Sequence, residues 1–522
     1  MGYRLGIYTA MLLSASTTLS AEDFFRRAAE KEAEKEQEEL MEVDGQESKA
    51  LFEIGCMANT SGDFLPYQLY ANKQGRFAPI GTETYNRAFY SHKLSKEKWS
   101  LEAGGDLYLY HTKKEPYYAH VVHLQQLYVK GNWGKYTVQL GSKEEDAQFV
   151  SNLSSGNMVW SGNARPAPGL RIGMDDFVST FITGYIFEMK LNFWWGKQTD
   201  GKLNTSVYEQ YEANYGQEVD DPKNPGHKII SITKDKRQHA KVENAWVHRK
   251  SFFIRTTSDK PVFATFGLEH AVMYGGTVND MDCSEGTNWV RSMLGGSGKK
   301  EGNQFNHVLG QDYRIDFRGN LLGVGLYKQH YADDMEGGLF KNGADGLWGM
   351  EITLPKTSWL KHIVIEYLHT TNQGGVVYAN DEYTKLDKKQ IFRTAGNSNF
   401  YHDQHMGAWT HYGMILGNPL LSSPLYNTDS YPDMASNMLR AYHLAFEGNI
   451  GQKWNYAVKA QHTDSWGTPF APFGEIRGTT SVAVEAACKV NNHWKVEGAF
   501  GMDKGSLYGD NTGFHLNIQY TL

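Results

Sequence analysis

The chain ends in the stretch Gly513-Phe514-His515-Leu516-Asn517-Ile518-Gln519-Tyr520-Thr521-Leu522. Every second side chain from Phe514 to Leu522 is apolar, and the side chains between them are polar. Successive side chains of a β-strand point to opposite sides, so this stretch predicts a strand with one apolar and one polar face. A chain that ends inside such a strand is typical of a closed barrel whose outer wall faces lipid.

The same alternation recurs along most of the chain, for example at residues 99–110, 262–273 and 494–502. The runs predict an all-β fold, a transmembrane antiparallel β-barrel of about 18 strands, with a range of about 16–18. A soluble β-sandwich or propeller is the structural competitor, but it does not need so many strands of this length. Three segments are too long for turns and are expected to be outward-facing loops or parts of a plug: residues 197–243, 274–308 and 371–400.

The composition agrees with a barrel. Aromatic residues make up 13% of the 522 residues, glycine occurs 54 times and proline only 14 times. Aromatic girdles mark the two membrane interfaces of such barrels, and long strands tolerate little proline. After the amino terminus, the sequence has no apolar run long enough for a membrane helix.

The amino-terminal region predicts export followed by a charged extension. Residues 1–21 combine Arg4, a short apolar stretch and small residues, the pattern of a cleaved signal peptide. Residues 22–48 contain eleven acidic and four basic side chains and are rich in helix formers, so we expect an acidic helical periplasmic extension. Residues 49–522 are then the barrel, in the bacterial outer membrane. The extension is expected to be a solvated helix or, alternatively, a docking arm for a periplasmic or envelope protein partner.

Charge and cysteine content exclude several other classes. From Lys49 onward the chain is nearly neutral, which argues against a nucleic-acid surface and against a strongly charge-selective pore. The three cysteines, Cys56, Cys283 and Cys488, show no disulfide framework or metal-ligand spacing. A single Cys56–Cys283 bridge is left open.

One segment is the most distinctive part of the sequence. Residues 154–173 read Ser-Ser-Gly-Asn-Met-Val-Trp-Ser-Gly-Asn-Ala-Arg-Pro-Ala-Pro-Gly-Leu-Arg-Ile-Gly. They combine turn formers, a stiff Arg-Pro-Ala-Pro step and two guanidinium groups near a tryptophan, so the segment can fold back into a wide barrel. Together with the preceding Gly-Ser-Lys-Glu at 141–144, it resembles the capsule-assembly Wzi family of outer-membrane proteins in its Bacteroides-like form. Further blocks of the resemblance follow in family order at 267–270, 325–330, 345–349, 417–420 and 462–468.

The resemblance covers roughly residues 95–520 and implies a barrel of about 18 strands without an open diffusion channel. It also implies helical elements near the amino-terminal part. The role that it implies is to hold or organise capsular polysaccharide at the cell surface as a lectin-like anchor. Nine residues of its motifs are expected to have structural roles in the lumen: Trp160, Asn163, Arg165, Pro166, Arg171, Glu269, His270, Asn418 and Pro419.

The ionisable residues on the predicted strands could be read as acid–base or metal groups. A wide barrel must instead fill its lumen with water or paired polar groups, because unpaired buried charges are costly. We therefore expect an interior charge network that joins Glu269, His270, His248, Asp312, Asp316, Glu351 and Glu366 to Arg165, Arg171, Arg249, Arg255, Arg314 and Arg318. No nucleophile, phosphate loop or metal motif stands out, so the sequence predicts no enzyme activity, no metal and no cofactor.

Sugar binding requires aromatic faces beside amides and carboxylates. The candidates for carbohydrate contacts in the long loops are Trp289, Tyr208, Tyr211, Tyr215, Tyr378, Asp381 and Tyr383. The expected partners are outer-membrane lipid and capsular or other surface polysaccharide. Two function classes remain: a non-enzymatic polysaccharide anchor, and a passive transport barrel or barrel subunit of a larger envelope complex.

Overall fold

The computed structural model describes residues 45–111, 122–179, 186–220, 228–231, 239–284, 286–296, 305–333, 335–343, 345–373 and 398–522. The predicted signal peptide and the predicted helix at 22–44 lie outside these residues.

The described residues form a closed antiparallel barrel of eighteen strands, which confirms the predicted fold. The wall strands are β1 (Gly45–Ser61), β2 (Glu83–Lys96), β3 (Trp99–Tyr110), β4 (Val122–Trp133), β5 (Tyr136–Ser142), β6 (Gly169–Gly173 and Val178–Ser179), β7 (Phe187–Lys197), β8 (Trp246–Thr256), β9 (Val262–Tyr274), β10 (Asn306–Arg318), β11 (Gly323–Ala332), β12 (Gly346–Thr353), β13 (His362–His369), β14 (Met438–Ile450), β15 (Trp454–Gly467), β16 (Pro472–Lys489), β17 (Trp494–Gly505) and β18 (Asn511–Thr521). The two parts of β6 both pair with β7 and make one interrupted strand.

The carboxy-terminal strand closes the barrel as the sequence predicts. β18 pairs with β17 on one side and with β1 on the other, in a register that runs from Leu51–Thr521 to Asn59–Gly513. Leu516 and Ile518 are 54% and 51% exposed on the outer wall, whereas Asn517 between them is 4% exposed in the lumen. The apolar face therefore meets lipid and the polar face meets the interior.

The first strand begins earlier than predicted. Residues 45–48 belong to β1 and pair with 92–95 of β2, so they are part of the barrel rather than of the acidic extension. The alternation explains this, because Glu47 points into the lumen and Ser48 to the outside, where its hydroxyl lies 2.8 Å from Nδ1 of His92.

Short turns lie at one end of the barrel and long loops at the other. Exposed aromatic side chains gather on the outer wall at the short-turn end: Trp99, Trp133, Tyr136, Trp359, Trp454 and Trp494. Such a girdle marks a membrane interface, and short turns mark the periplasmic side of outer-membrane barrels. The long loops are therefore on the outward side.

The described helices are short and lie in the long connections. They are α1 (Tyr67–Tyr70), α2 (Gly201–Tyr215), α3 (Gly286–Met293) and α4 (Met335–Gly338), with a 3-10 turn at Pro424–Tyr426. Among the residues described, none of the helices has the length and apolarity needed to cross a membrane. The predicted loops at 197–243 and 274–308 contain α2 and α3. No disulfide joins Cys56, Cys283 or Cys488 to one another, so the Cys56–Cys283 bridge is not formed.

Leu516→Arg provides a test of the two-faced wall. Leu516 lies near the middle of β18 on the lipid side, so the arginine variant should lose about 2–4 kcal/mol of unfolding free energy. Gln519→Arg is the matched control, since Gln519 lines a water-filled part of the lumen. Urea titration in lipid vesicles measures the unfolding free energy of both variants. The shift in gel mobility on boiling reports whether each variant folds. Equal destabilisation by the two arginines would contradict the assignment of faces.

Candidate functional site

Three segments fold into the lumen and form what we call the plug: residues 63–80, 143–168 and 398–437. Their apolar side chains join one buried cluster with inward-facing residues of the wall. Met158, Trp409 and Ile415 of the plug are fully buried, and they share this cluster with Phe253 and Tyr327 of the wall. The plug therefore fills the cross-section with packed side chains.

Hydrogen bonds join the three plug segments to one another. The backbone N–H of Gln74 donates to the carbonyl of Gly162 at 2.6 Å, and that of Ser161 to Leu416 at 2.7 Å. The Trp409 indole donates to the carbonyl of Val159 at 3.0 Å. Buried backbone groups need such partners, so the plug is a structured unit and not a loose loop.

Wall side chains hold the plug in place. The backbone N–H of Ser155 donates to Glu366 at 2.7 Å, that of Ser151 to Glu351 at 2.9 Å, and that of Tyr67 to Asp503 at 2.9 Å. Two of these carboxylates come from the neighbouring strands β13 and β12, and the third comes from β17, four strands further along the wall. Charge-assisted bonds of this kind are roughly twice as strong as neutral ones.

Four of the motif residues meet inside the plug. Asn163 and Asn418 are fully buried, and their amides donate to the carbonyls of Ile415 at 2.9 Å and Gly156 at 2.6 Å. Gly156 has φ +129°, and a Cβ there would lie 2.8 Å from Pro419, so this contact requires glycine. Trp160 packs between Trp194 and Trp409, at ring-centroid distances of 5.4 and 6.1 Å. Motifs that are distant in sequence thus build one core.

The two motif arginines differ in their partners. Arg171 of β6 reaches Asp175 at 2.9 Å and Glu145 at 3.9 Å, as the predicted charge pairing requires. Arg165 lies 3.7 Å from the ring centroid of Tyr412 and contacts Nδ1 of His123; in the part of the chain described it forms no ion pair. Pro166 follows it at the edge of a small cavity shared with Trp160. The prediction of a carboxylate partner is therefore wrong for Arg165.

Much of the predicted interior charge network is present. Arg314 pairs with Glu351 at 2.7 Å and with Asp316 at 2.9 Å. Arg249 lies 3.6 Å from Glu269, which is buried in the lumen, and Arg255 pairs with Glu188. Glu366 differs from the prediction, since it accepts from Ser154, Ser155 and the Tyr327 hydroxyl rather than from an arginine. Arg318 donates to the carbonyl of Ser258 at 3.3 Å.

The histidines were assigned to the wrong face. Glu269 points into the lumen, so His270 next to it lies on the outer wall, where its Nε2 is 3.0 Å from Nδ1 of His307. His248 stands on the outer wall for the same reason, beside the lumen-facing Arg249. Neighbouring residues of a strand cannot both join an interior network.

A polar vestibule of about 720 Å³ lies between the plug and the short-turn end. Its basic lining residues are Lys49, Lys73, Arg76, Arg87, Lys93, Lys143 and Lys459, and its acidic lining residues are Glu47, Glu102, Glu144, Glu145, Asp146, Glu447 and Glu485. Several form ion pairs, such as Glu485 of β16 with Lys73 of the plug at 3.1 Å and with Lys459 of the neighbouring strand β15 at 3.2 Å. The vestibule is therefore balanced in charge and reaches the periplasmic opening.

A buried network that the sequence pattern does not predict lies at the closure of the barrel. Arg87 of β2 makes a two-pronged contact with Asp106 of β3, at 2.9 and 2.8 Å, and reaches Glu53 of β1 at 3.3 Å. Asn517 of β18 donates to the same Glu53 at 3.0 Å. The network joins the first three strands to the last. Arg87 and Asp106 both occupy polar positions of their alternating sequence patterns. Their contact, however, follows only from the pairing of the strands in the closed barrel.

The predicted carbohydrate contacts are distributed over the outward loops. Tyr208, Tyr211 and Tyr215 share helix α2, but Tyr211 is 0% exposed against His239 and Tyr431, so no sugar ring can stack on it. Tyr215 donates to Asp429 at 3.3 Å, and Tyr208 is half-buried, which raises the pKa of its phenol. The cleft beside Tyr208 holds only about 50 Å³, far less than an ordinary ligand pocket.

The remaining candidates are separate from α2. Trp289 lies on α3 against the outer wall, with its ring centroid 6.2 Å from that of Trp195. Tyr378, Asp381 and Tyr383 lie outside the described residues. Within those residues, no group of three or more His, Cys, Asp or Glu side chains is arranged to bind a metal ion.

The third plug segment contains a buried ion pair whose charge depends on pH. Nδ1 of His402 lies 2.6 Å from Asp433, and both side chains are almost fully buried. Burial lowers the pKa of His402, but the charges of Asp433, Asp403 and Asp333 outweigh it and hold the pKa above its usual value. A raised histidine pKa contributes stability that is complete below about pH 6.5 and is lost as the pH rises through the folded value.

We therefore expect residues 398–437 to resist proteolysis better at pH 6 than at pH 9. His402→Gln should remove most of that difference, because the variant has no titrating group at this position. Limited proteolysis of the folded barrel across this range, with cleavage sites read by mass spectrometry, provides the measurement. A variant with an unchanged pH profile would show that another group is responsible.

Comparison with known proteins supports the fold. No protein-family model and no curated protein matches the chain. Among solved structures, the chain is similar to Wzi, an Escherichia coli outer-membrane protein involved in group 1 capsule assembly and described as a carbohydrate-binding β-barrel. The match has 10% identity and a TM-score of 0.53, and it covers 98% of this chain and 91% of that one. It confirms the fold implied by the sequence resemblance, and at this identity it shows the fold alone.

Two further solved barrels match at lower scores. OccAB4 of Acinetobacter baumannii has 7% identity over 92% of this chain and 99% of that one, with a TM-score of 0.44. OprD of Pseudomonas aeruginosa has 9% identity over 93% and 97%, with a TM-score of 0.43.

Proposed function

We propose that this outer-membrane barrel, which shares the fold of Wzi, is a non-enzymatic anchor that holds or organises capsular polysaccharide at the cell surface. The observation that carries the proposal is the plug. Its three segments bond to one another and to carboxylates of several wall strands, and their side chains pack with those of the wall in one buried cluster, which supports a lumen closed across the described residues. A closed barrel presents its outward loops as a surface instead of a passage.

The outward surface supports a binding role. Helix α2 and the loop around Tyr431 pack through Tyr211, and the Tyr215–Asp429 bond adds to this packing. The partly exposed Tyr208 and the nearby Lys241 and Asn204 are then held on a packed base. Pre-ordered contacts reduce the entropy cost of binding a flexible chain. The cleft of about 50 Å³ that these residues line suits a long glycan held at several shallow contacts rather than a small molecule.

The likeness to Wzi adds support, because that protein is described as carbohydrate-binding and as involved in capsule assembly. The alternative, a passive transport barrel or the barrel subunit of a larger envelope complex, draws on the periplasmic vestibule, which extends partway into the lumen. A transport role requires the plug to move aside, whereas an anchor requires it to stay.

Deleting the gene tests the anchor directly. We expect total polysaccharide to stay at the wild-type amount while the attached fraction falls and the shed fraction in the medium rises. Complementation with the intact gene should restore attachment, and complementation with Tyr208→Ala should restore it only partly. Tyr211→Phe is the matched control, since its ring is buried and unavailable to a glycan. Unchanged attachment in the deletion strain would rule out the anchor.

A further inference from the structure

One sector of the outer wall carries polar side chains where an outer-membrane barrel normally presents apolar ones. On β8–β11, the outward-facing positions near the loop ends are occupied by His248, Lys250, His270, His307, Gln311 and His330. They stand on the face opposite to the lumen-facing Arg249, Glu269 and Asp312. Polar groups at such positions are costly when they face hydrocarbon.

Two loop segments fold down over this sector and supply its hydrogen-bond partners. The amine of Lys250 donates to the carbonyl of Met293 at the end of α3, and His307 lies 3.0 Å from the carbonyl of Gly296. At α4, His330 lies 2.9 Å from the carbonyl of Gly337, and Gln311 donates to Gly338 at 3.1 Å. The last carbonyls of a helix lack partners within it, so these ends suit polar groups of the wall.

The covering segments present apolar side chains outward. In α3, Asn288 and Ser292 are buried against the wall, while Trp289 and Val290 are exposed and the following Leu294 is 83% exposed. After α4, Leu339 is 70% exposed. A helix that faces water exposes its polar side chains and buries its apolar ones, and α3 does the reverse. Helices at a membrane interface place Trp and Leu in the acyl boundary.

An apolar groove of about 670 Å³ opens on the outer wall beside α3. Val138, Ile172, Phe193, Phe252 and Leu268 line it, and Lys250 and His270 close the end nearest α3. The groove runs across neighbouring strands, since Ile172 pairs with Phe193 and Phe193 with Lys250. It is continuous with the lipid-facing wall, and its size is that of an ordinary ligand site.

We propose that this sector is a binding site for a membrane lipid, with an acyl chain in the groove and α3 seated in the interface beside it. The acyl chain contacts the apolar lining. Trp289, Val290 and Leu294 contact neighbouring lipids, and the polar row of the wall stays closed against the two helix ends. Trp289 then contacts the membrane and does not stack against a sugar ring.

Photo-crosslinking tests the site in vesicles that contain a phospholipid with a diazirine in its acyl chain. We expect the label to concentrate on peptides that line the groove. Ile172→Trp, which fills the groove, should reduce that labelling about tenfold, the loss expected when about two methylene groups leave an apolar site. Ile518→Trp is the matched control, because Ile172 and Ile518 are 50% and 51% exposed on different parts of the wall. Uniform labelling along the wall in all three proteins would overturn the proposal.

A second measurement does not depend on the groove variant. Brominated lipids quench nearby tryptophans, so the fluorescence difference between wild type and Trp289→Phe should be strongly quenched in vesicles of such lipids. An unquenched difference places Trp289 in water or against protein and overturns the proposal. Thiol-specific crosslinks between two copies of a Leu294→Cys variant, absent from wild type, would also overturn it, by showing that a second copy of the chain occupies the sector.

Discussion

Arg87→Met should destabilise the folded barrel by about 3–5 kcal/mol, the usual cost of removing one partner from a buried ion pair. Its guanidinium neutralises both Asp106 and Glu53, whose side chains are 0% and 6% exposed. Tyr85 and Asn517 still bond to Glu53 in the variant, at 2.6 and 3.0 Å, but neither carries a positive charge. The two carboxylates then lose their ion-pair partner at the seam where the barrel closes, and the nearby Arg76 is already paired with Glu144.

Urea titration of the barrel in lipid vesicles measures the loss, and two further variants show its origin. Lys49→Met removes a neighbouring but exposed ion pair with Glu47 on the same strand, and it should change stability by less than about 1 kcal/mol. Combining Arg87→Met with Asp106→Asn and Glu53→Gln removes the stranded charges and should restore a large part of the loss. If the triple variant is no more stable than Arg87→Met alone, packing rather than charge accounts for the effect.

The closure seam shows what the sequence can and cannot predict. The alternation at Leu516, Asn517 and Ile518 predicts which side chains face lipid, because it depends only on neighbours along one strand. Glu269 and His270 cannot both belong to the predicted interior network, because adjacent residues of a strand point to opposite faces. The same alternation places His270 in the polar row on the outer wall.

Other features depend on which strands become neighbours. The Glu53–Arg87–Asp106 network requires the register of three strands, and the sequence alone does not fix that register. Residues 154–168 of the segment that is predicted to fold into the barrel lie in the plug, whereas residues 169–173 belong to wall strand β6. Residues 63–80 carry no comparable motif, although they complete the plug through Tyr67 and Gln74. Tyr211 is of a residue type that is suited to contact sugars, and only its burial in the structure shows that it packs against other side chains instead.

The plug decides between the two function classes, and shortening it should change the barrel from closed to conducting. Phe64 and Ile80 form a β-bridge, and the backbone N–H of Leu65 donates to Pro79 at 2.7 Å, so the ends of the first plug segment already lie together. Replacing residues 66–78 by two glycines therefore removes α1 while keeping β1 and β2 in place. The deletion also removes the Gln74–Gly162 bond and the Arg76–Glu144 pair, which hold the second segment.

Planar-bilayer recordings at constant voltage provide the measurement. Wild type should insert without stepwise conductance, and the 66–78 variant should give discrete steps, because a water path then joins the vestibule to the outward side. The control variant lacks residues 217–231. The strands Gln217–Asp220 and Lys228–Ser231 of this segment pair with each other and not with the wall, so the control variant should show no conductance steps. Steps in wild type would favour the transport reading. If the 66–78 variant shows no conductance steps but its gel mobility still changes on boiling, the barrel is folded and the other two plug segments seal the lumen by themselves. Deleting residues 402–435 as well would then be required to open the lumen.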